Sequence, residues 1–231
     1  MIYNNTMIKR YFVLFAAIPV ILVLFGSCTD FFSTSLASWA SRDPDKLVPA
    51  VTTDNVDELV ASAENNPDLS LAVLKKIRSA AKGATGDNKQ KLQDAALEAA
   101  VNASGLGQAV LGVATDLASL EDDPRAVVTD AIKGMNNLDD AALILSEIID
   151  DDFDMDKADP NDLALAAVVL LAGEAKKAEQ EPGGIDAYID NFNPNDPTLS
   201  PEEKLAVDMA LAAKDKISGP LADALRELGL I

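Results

Sequence analysis

Residues 163–172 read LALAAVVLLA, an uninterrupted apolar run of alanine, valine and leucine. A helix with this composition is apolar on every face, so it has to be buried on every side. Its length of ten residues is too short for a membrane-spanning helix, which needs about 20. We therefore predict that this run forms the central helix of the C-terminal half of the chain. The alternative is that this run contacts a membrane.

The start of this helix belongs to a series of similar marks, in which proline follows a residue that can cap a helix. Proline is tolerated at the first helical position, and an Asp, Asn or Ser side chain before it can accept hydrogen bonds from free backbone N–H groups. No stretch after residue 43 alternates apolar and polar residues as a strand does. These marks are Asp43-Pro44, Asn66-Pro67, Asp123-Pro124, Asp159-Pro160 and Ser200-Pro201.

The pattern predicts an all-α chain. The expected helices cover residues 54–64, 67–82, 88–104, 106–120, 124–134, 138–150, 160–180, 185–192, 201–217 and 220–228.

The spacing of the marks is typical of arrays of helix pairs. Pro124, Pro160 and Pro201 are separated by 36 and 41 residues, and such arrays often repeat every 34 to about 40 residues. The starts at Pro67 and Pro124 also resemble the junctions between tetratricopeptide repeats, although the Trp, Leu-Gly and Tyr order of that motif is missing. The resemblance implies an array of antiparallel helix pairs, a TPR-like solenoid. An irregular helical bundle is the alternative.

The segment from Met7 to Cys28, MIKRYFVLFAAIPVILVLFGSC, has the order of a secretory signal peptide. Lys9 and Arg10 supply the positive start, residues 11–25 form an apolar run of 15 residues without charge, and small residues follow at the exit. Met7 gives a more compact start for this signal than Met1 does. We expect the protein to be exported.

The run from Leu24 to Cys28, LFGSC, resembles the lipobox of bacterial lipoproteins, with Phe25 where that family usually has Leu. The resemblance implies that Cys28 carries diacylglycerol and a further acyl chain such as palmitate, and that it becomes the first residue of the mature chain. Residues 1–27 would be the signal peptide, 28–35 a lipidated tether and 36–231 a single all-α domain. Thr29, rather than Asp, follows Cys28, which favours the outer membrane of the cell envelope over the inner membrane.

Charge and residue usage exclude several classes of function. The chain has 19 basic and 38 acidic residues. Removal of Lys9 and Arg10 with the signal leaves 17 basic residues and a net charge of −21, so binding to nucleic acid is not expected. The chain has no histidine, and Cys28 is its only cysteine. Histidine-based catalysis and thiolate metal sites are therefore excluded.

The segment 150–162, DDDFDMDKADPND, is the sharpest local motif. Asp152, Asp154 and Asp156 have the spacing of the first three ligands of an EF-hand Ca²⁺ loop, but Lys157 stands where that loop needs Gly and Leu163 where it needs Glu. We predict no metal site, with these three aspartates as weak Ca²⁺ candidates. The segment is expected to be a solvated acidic linker. Its last carboxylates, Asp159 and Asp162, should be favoured by the dipole of the following helix.

These observations predict a lipid-anchored helical scaffold that binds a protein, a peptide or another envelope component without catalysis. The acidic surface favours basic partners. The alternative is a transport-accessory lipoprotein that holds a small apolar or amphipathic ligand between helices. No cofactor is expected. An enzyme is disfavoured, because paired carboxylates alone would have to supply the chemistry and nothing in the sequence places two of them in a cleft.

Overall fold

The structure is a computed structural model that describes residues 43–106, 124–227 and 230–231. Within these ranges every regular element is helical, which confirms the all-α prediction. The helices are α1 Pro44–Leu47, α2 Val56–Ala63, α3 Pro67–Ala81, α4 Gly86–Ser104, α5 Pro124–Gly134, α6 Leu138–Ile148, α7 Pro160–Lys177, α8 Gly184–Asn191, α9 Pro201–Ala213 and α10 Pro220–Glu227, with a 3₁₀ turn at Ala178–Gln180.

The chain divides into two compact units, Met1–Leu47 and Val48–Ile231. Of the first unit only residues 43–47, which contain α1, are described. The second unit begins twelve residues later than the domain start at residue 36 that the sequence indicated. The helix expected over 106–120 lies outside the described residues, apart from the helical Leu106.

The proline marks begin helices as predicted, because the residues in front of them supply hydrogen-bond acceptors. The side chain of Asn66 accepts from the backbone N–H of Leu69 at 3.1 Å. Asp159 accepts from the N–H of Asn161 at 2.8 Å, and Ser200 accepts from the N–H of Glu203 at 3.1 Å. The predicted ends are less accurate: α9 ends at Ala213 and not at residue 217.

Two antiparallel helix pairs, α3–α4 and α6–α7, form the frame of the second unit, and α4 packs against both α6 and α7. The first pair is joined by a short connection over residues 82–85, which favours antiparallel neighbours. In the second pair the Lys176 ammonium, near the end of α7, donates to the carbonyl of Met135, just before α6.

The first helices of the two pairs, α3 and α6, lie side by side and parallel. Asn137 donates to Asp68 at 3.0 Å at their starts, and Arg78 donates to Glu147 at 2.8 Å near their ends. In both pairs the two residues are 69 positions apart in the sequence. The spacing of 36 and 41 residues belongs to the marks at Pro124, Pro160 and Pro201, and this earlier step is longer because residues 107–123 and α5 intervene in the sequence.

Helix α7 is central to the whole second unit and not only to its C-terminal half. Leu163 and Leu170 are fully buried, as the apolar run predicts, but Leu165 and Val168 are only partly buried, so one side of the run is not completely covered. The helix packs against α4 from the N-terminal half and against α5, α6, α8, α9 and α10. Fully burying one leucine side chain contributes about 1.5–3 kcal/mol, so this run supplies much of the stability of the unit. No helix in the described ranges is long and apolar enough to cross a membrane.

Gly173 permits the close approach of α6 and α7. A Cβ atom at this position would lie 2.6 Å from the Cβ of Ala142, closer than two side-chain carbons can come. A larger residue would therefore force the two helices apart. This contact could not be predicted from the sequence, because Gly173 follows the apolar run without interrupting the helical pattern.

Candidate functional site

The acidic segment between α6 and α7 is held by lysines. Asp152 lies 3.3 Å from the Lys89 ammonium, and Asp156 lies 3.1 Å from that of Lys216. The third aspartate of the motif, Asp154, pairs at 3.1 Å with a lysine three residues further along the segment. The three carboxylates therefore do not converge. Among the described residues, no group of three acidic, cysteine or histidine side chains is placed to hold a metal ion.

Two glutamines of α4 fix the backbone of the same segment. Gln90 accepts from the N–H of Asp154 at 2.9 Å and donates to its carbonyl at 3.1 Å. The buried Gln93 donates to the carbonyl of Ile148 at 2.9 Å and to the carboxylate of Asp150 at 3.1 Å. Each polar group of Gln93 needs such a partner because the side chain is buried. The segment is therefore braced against α4, and it is not a free linker.

The charge of Asp150 reflects this bracing. Burial alone would raise its pKa, but hydrogen bonds from Lys89 and Gln93 outweigh that effect, and the pKa of the carboxyl is lowered. Hydrogen bonding to Asp150 also raises the pKa of Lys89. Both groups are thus held in their charged forms at neutral pH. These contacts are a structural use of the acidic motif.

The start of α7 carries a cluster of carboxylates. Burial raises the pKa of the half-buried Asp162 to about 6, with further contributions from Asp159, Glu98 and Asp94. Burial also raises the pKa of Asp94, although a hydrogen bond from Gln90 opposes the rise. The helix dipole was expected to favour the charged form of Asp162, and this expectation is wrong. Burial and like charges from α4 disfavour the charged form by more than the dipole favours it.

A first shallow cleft, of about 130 Å³, lies between the α3–α4 connection and the end of α6. Its lining includes Arg78, Lys82 and Lys89, together with Glu147 and Asp150. Arg78 pairs with Glu147 at 2.8 Å, and Lys89 pairs with Asp150 at 2.5 Å. Most of the charge in this cleft is therefore neutralised within the molecule.

A second cleft, of about 190 Å³, lies between α8 and the start of α9. Tyr188 and Phe192 line it, and their ring centroids are 6.0 Å apart with the planes tilted by 36°. The Tyr188 hydroxyl donates to Glu203 at 2.9 Å. Burial and the Glu203 carboxylate raise the pKa of Tyr188, so the hydroxyl stays protonated. Glu203 also accepts from the N–H of Ser200 at 2.7 Å and thereby closes a capping box.

The rim of the second cleft comes from the turn-rich loop over residues 191–197, read as NFNPNDP. Asn193 accepts from the N–H of Asn195 at 3.0 Å. Asp196 accepts from the backbone and hydroxyl of Thr198 at 2.8 and 2.6 Å, and these bonds lower the pKa of its carboxyl. The loop is thus fixed by its own side chains. The turn-rich composition of this loop favours a connector over a recognition loop, and it does not indicate that an aromatic pair lies beside it.

Cys28, the predicted lipidation site, lies outside the described residues, as do the signal peptide and the tether. Comparison of the chain with protein families, with curated proteins and with solved structures gives no match.

Proposed function

We propose that this protein is a bacterial lipoprotein, anchored to the cell envelope through lipid on Cys28, whose helical body binds a protein partner without catalysis. The anchor is supported by the positive start, the apolar run and the LFGSC motif. One acyl chain binds a membrane only marginally, and two or three on one residue hold it stably. The acidic body favours a basic partner.

The observation that carries the binding function is a repeated surface pattern. Two leucines, each 44% exposed, lie on neighbouring helices. Each has an exposed acidic residue three positions before it and another four positions after it, a spacing that places residues on one face of a helix. On α6 the set is Asp140, Leu143 and Glu147, of which Glu147 pairs with Arg78. The other set is Asp208 and Leu211 on α9, with Asp215 in the turn after the helix.

Such a face suits a partner that offers apolar contacts surrounded by positive charge. Apolar anchors supply binding energy at the centre of an interface, and a rim of complementary charge directs association. The described clefts, at about 130 and 190 Å³, are smaller than the roughly 300–1,000 Å³ of typical small-molecule sites, and charged residues line both. Their size supports a protein partner over a small apolar ligand.

A capture experiment from bacterial membranes tests the proposal. The acylated full chain is compared with Cys28→Ala, and with a double variant in which Leu143 and Leu211 are replaced by Asp. We expect a protein to be captured by the native chain, lost with the double variant and retained by a control in which Ala61 and Ser62 are replaced by Asp, which adds the same two charges at exposed positions of α2. Equal capture by the double variant would contradict the assignment of this face.

Cys28→Ala separates the anchor from the interface. In cells supplied with a traceable palmitate, the native chain should become labelled and Cys28→Ala should not, because the variant lacks the sulfur to which the lipid is attached. Labelling of Cys28→Ala to the native level would contradict the lipid anchor.

A further inference from the structure

The second cleft combines aromatic and acidic groups without any basic residue among those that line it. Tyr188 and Phe192 give it two half-buried rings, and Asp196 and Glu203 give it two carboxylates. Asn193 and Thr198 add an amide and a hydroxyl. An anionic ligand would meet like charge here, whereas a cation gains from the carboxylates and from the ring faces.

We propose that this cleft receives an arginine side chain of the partner protein. The inference rests on the proposed function, since it supposes that the helical body binds a protein. It adds which side chain of that partner occupies this cleft. A cleft of about 190 Å³ accommodates a single side chain and is smaller than typical small-molecule sites. Arginine residues are frequent anchors in protein interfaces.

The arrangement favours arginine over lysine. A guanidinium is planar, so it stacks on an aromatic ring while its N–H groups donate to oxygens at the edge of that ring. Asp196 uses one carboxylate oxygen, Oδ1, for its bonds with Thr198. Oδ2 accepts no hydrogen bond from the described residues, and the lowered pKa of the carboxyl keeps it ionised. This oxygen is the acceptor that we assign to the guanidinium.

The cleft is also formed in advance of binding. The Asn193 and Asp196 turns fix the loop, and the bond from Tyr188 to Glu203 ties α8 to the start of α9. A rigid receptor loses little conformational entropy when it binds a side chain. The bound arginine therefore needs no rearrangement of the loop.

The test is a titration of the ¹⁵N-labelled full chain with the peptide acetyl-Gly-Arg-Gly-amide, followed by amide chemical shifts. The matched probe replaces arginine with citrulline, which keeps the shape and removes the charge. We expect the signals of Asn193, Asp196 and Thr198 to move with the arginine peptide, with a Kd of about 1 mM. The citrulline peptide should bind at least about tenfold more weakly.

Two conservative variants test the assignment of groups. Phe192→Leu removes a ring and keeps apolar volume, and Asp196→Asn removes the charge and keeps the oxygen that forms the turn. Each should weaken binding of the arginine peptide about tenfold, as loss of a cation–π contact or a charged acceptor predicts. Glu58→Gln, which removes one charge from the exposed face of α2, should leave binding unchanged. Unchanged circular dichroism and melting temperature show that the variants remain folded.

The inference is overturned if no signal moves at about 10 mM arginine peptide, or if the citrulline peptide binds equally well. It is also overturned if a captured partner binds Phe192→Leu and Asp196→Asn as tightly as the native chain, a result that leaves the proposed function intact. Specific binding of the arginine peptide without capture of any protein would support the cleft and count against the proposed function.

Discussion

Two helices of this protein begin with the same motif, a capping residue followed by proline, but in different electrostatic surroundings. Helix α7 begins Asp159-Pro160 and helix α9 begins Ser200-Pro201, and in both the capping side chain accepts backbone N–H groups. The third helical residue is acidic in both, Asp162 in α7 and Glu203 in α9. The capping side chains therefore act alike, but only in α9 does the acid close a capping box, and the two acids also meet different groups from other helices.

Asp162 meets other carboxylates, and Glu203 meets donors. Burial raises the pKa of Asp162 to about 6, and the charges of Asp159, Glu98 and Asp94 add to the rise. Glu203 instead accepts from Ser200 and from the hydroxyl of Tyr188. A capping motif thus decides where a helix begins, whereas the tertiary neighbours decide whether its acids stabilise or destabilise the folded state.

The largest expected effect comes from removing the acceptor at the start of α9. Glu203→Ala should lower the free energy of unfolding by about 2 kcal/mol, because it breaks the capping box and leaves the half-buried Tyr188 hydroxyl without its acceptor. Urea denaturation of the full chain measures this change. Glu203→Gln, which keeps an acceptor oxygen, should cost about half as much, and an equal cost for both variants would show that the charge alone matters.

At the start of α7, by contrast, removing an acidic side chain should increase the free energy of unfolding. The pKa of Asp162 is about 6 in the folded state and 3.8 as its ordinary value, so its charge disfavours the folded state increasingly from about pH 3.8 and fully above pH 6. Asp162→Asn should therefore raise the free energy of unfolding at pH 7 by about 1 kcal/mol, a value reduced to allow for solvent screening of a half-exposed group. The gain should shrink as the pH falls through 6 and vanish below 3.8, where the carboxyl is protonated in both the folded and the unfolded state. Destabilisation at pH 7 would contradict the repulsion.

The native chain should show the same linkage in its own pH profile. Stability should rise by about 1 kcal/mol as the pH falls from 7 to 4, because the carboxyl of Asp162 binds a proton with a pKa of about 6 in the folded state and only near its ordinary value of 3.8 in the unfolded state. Below about pH 4 it should fall, because Asp150, Asp154 and Asp196 have lowered pKa values and lose their favourable bonds on protonation. Melting temperatures measured from pH 3 to pH 8 test both limbs of the profile.

The two capping side chains, Ser200 and Asp159, should contribute different amounts to the free energy of unfolding. Ser200→Ala should cost about 1 kcal/mol, the usual cost of removing a capping side chain. Asp159→Ala removes a cap too, but it also removes a negative charge near Asp162, so its net cost should be about 0.5 kcal/mol. Thermal unfolding at pH 7 compares the two variants. A larger cost at Asp159 than at Ser200 would mean that the charge of Asp159 is not repulsive.

The smallest expected effect concerns the weak metal candidates. Asp152, Asp154 and Asp156 each pair with a different lysine, so Ca²⁺ would have to displace three cations and move the carboxylates together. Addition of about 1 mM Ca²⁺ should therefore give no calorimetric heat beyond dilution and no change in melting temperature. A saturable heat that Asp154→Asn abolishes would revive the Ca²⁺ loop.

The sequence was sufficient for the positions of the helices, because their starts depend on local chemistry. Proline behind a capping residue marks Pro67, Pro160 and Pro201 correctly. The apolar run 163–172 also indicates a buried helix without any alignment. Its neighbours could not be predicted, since contacts such as that of Gly173 with Ala142 join residues distant in sequence.

The candidate sites were predictable only in part. The aspartates of segment 150–162 are visible in the sequence, but their partners Lys89 and Lys216 are about 60 residues away. The loop after α8 has an evident turn composition, whereas the cleft beside it depends on how α8 packs near the start of α9. Charge pairing across the fold is therefore the part that a single sequence does not reveal.

Intact-mass analysis of the protein purified from bacterial membranes tests the central proposal most directly. We expect a chain that begins at Cys28 and carries diacylglycerol with a further acyl group on that residue. A full-length chain with residues 1–27 attached and a free Cys28 thiol would contradict it.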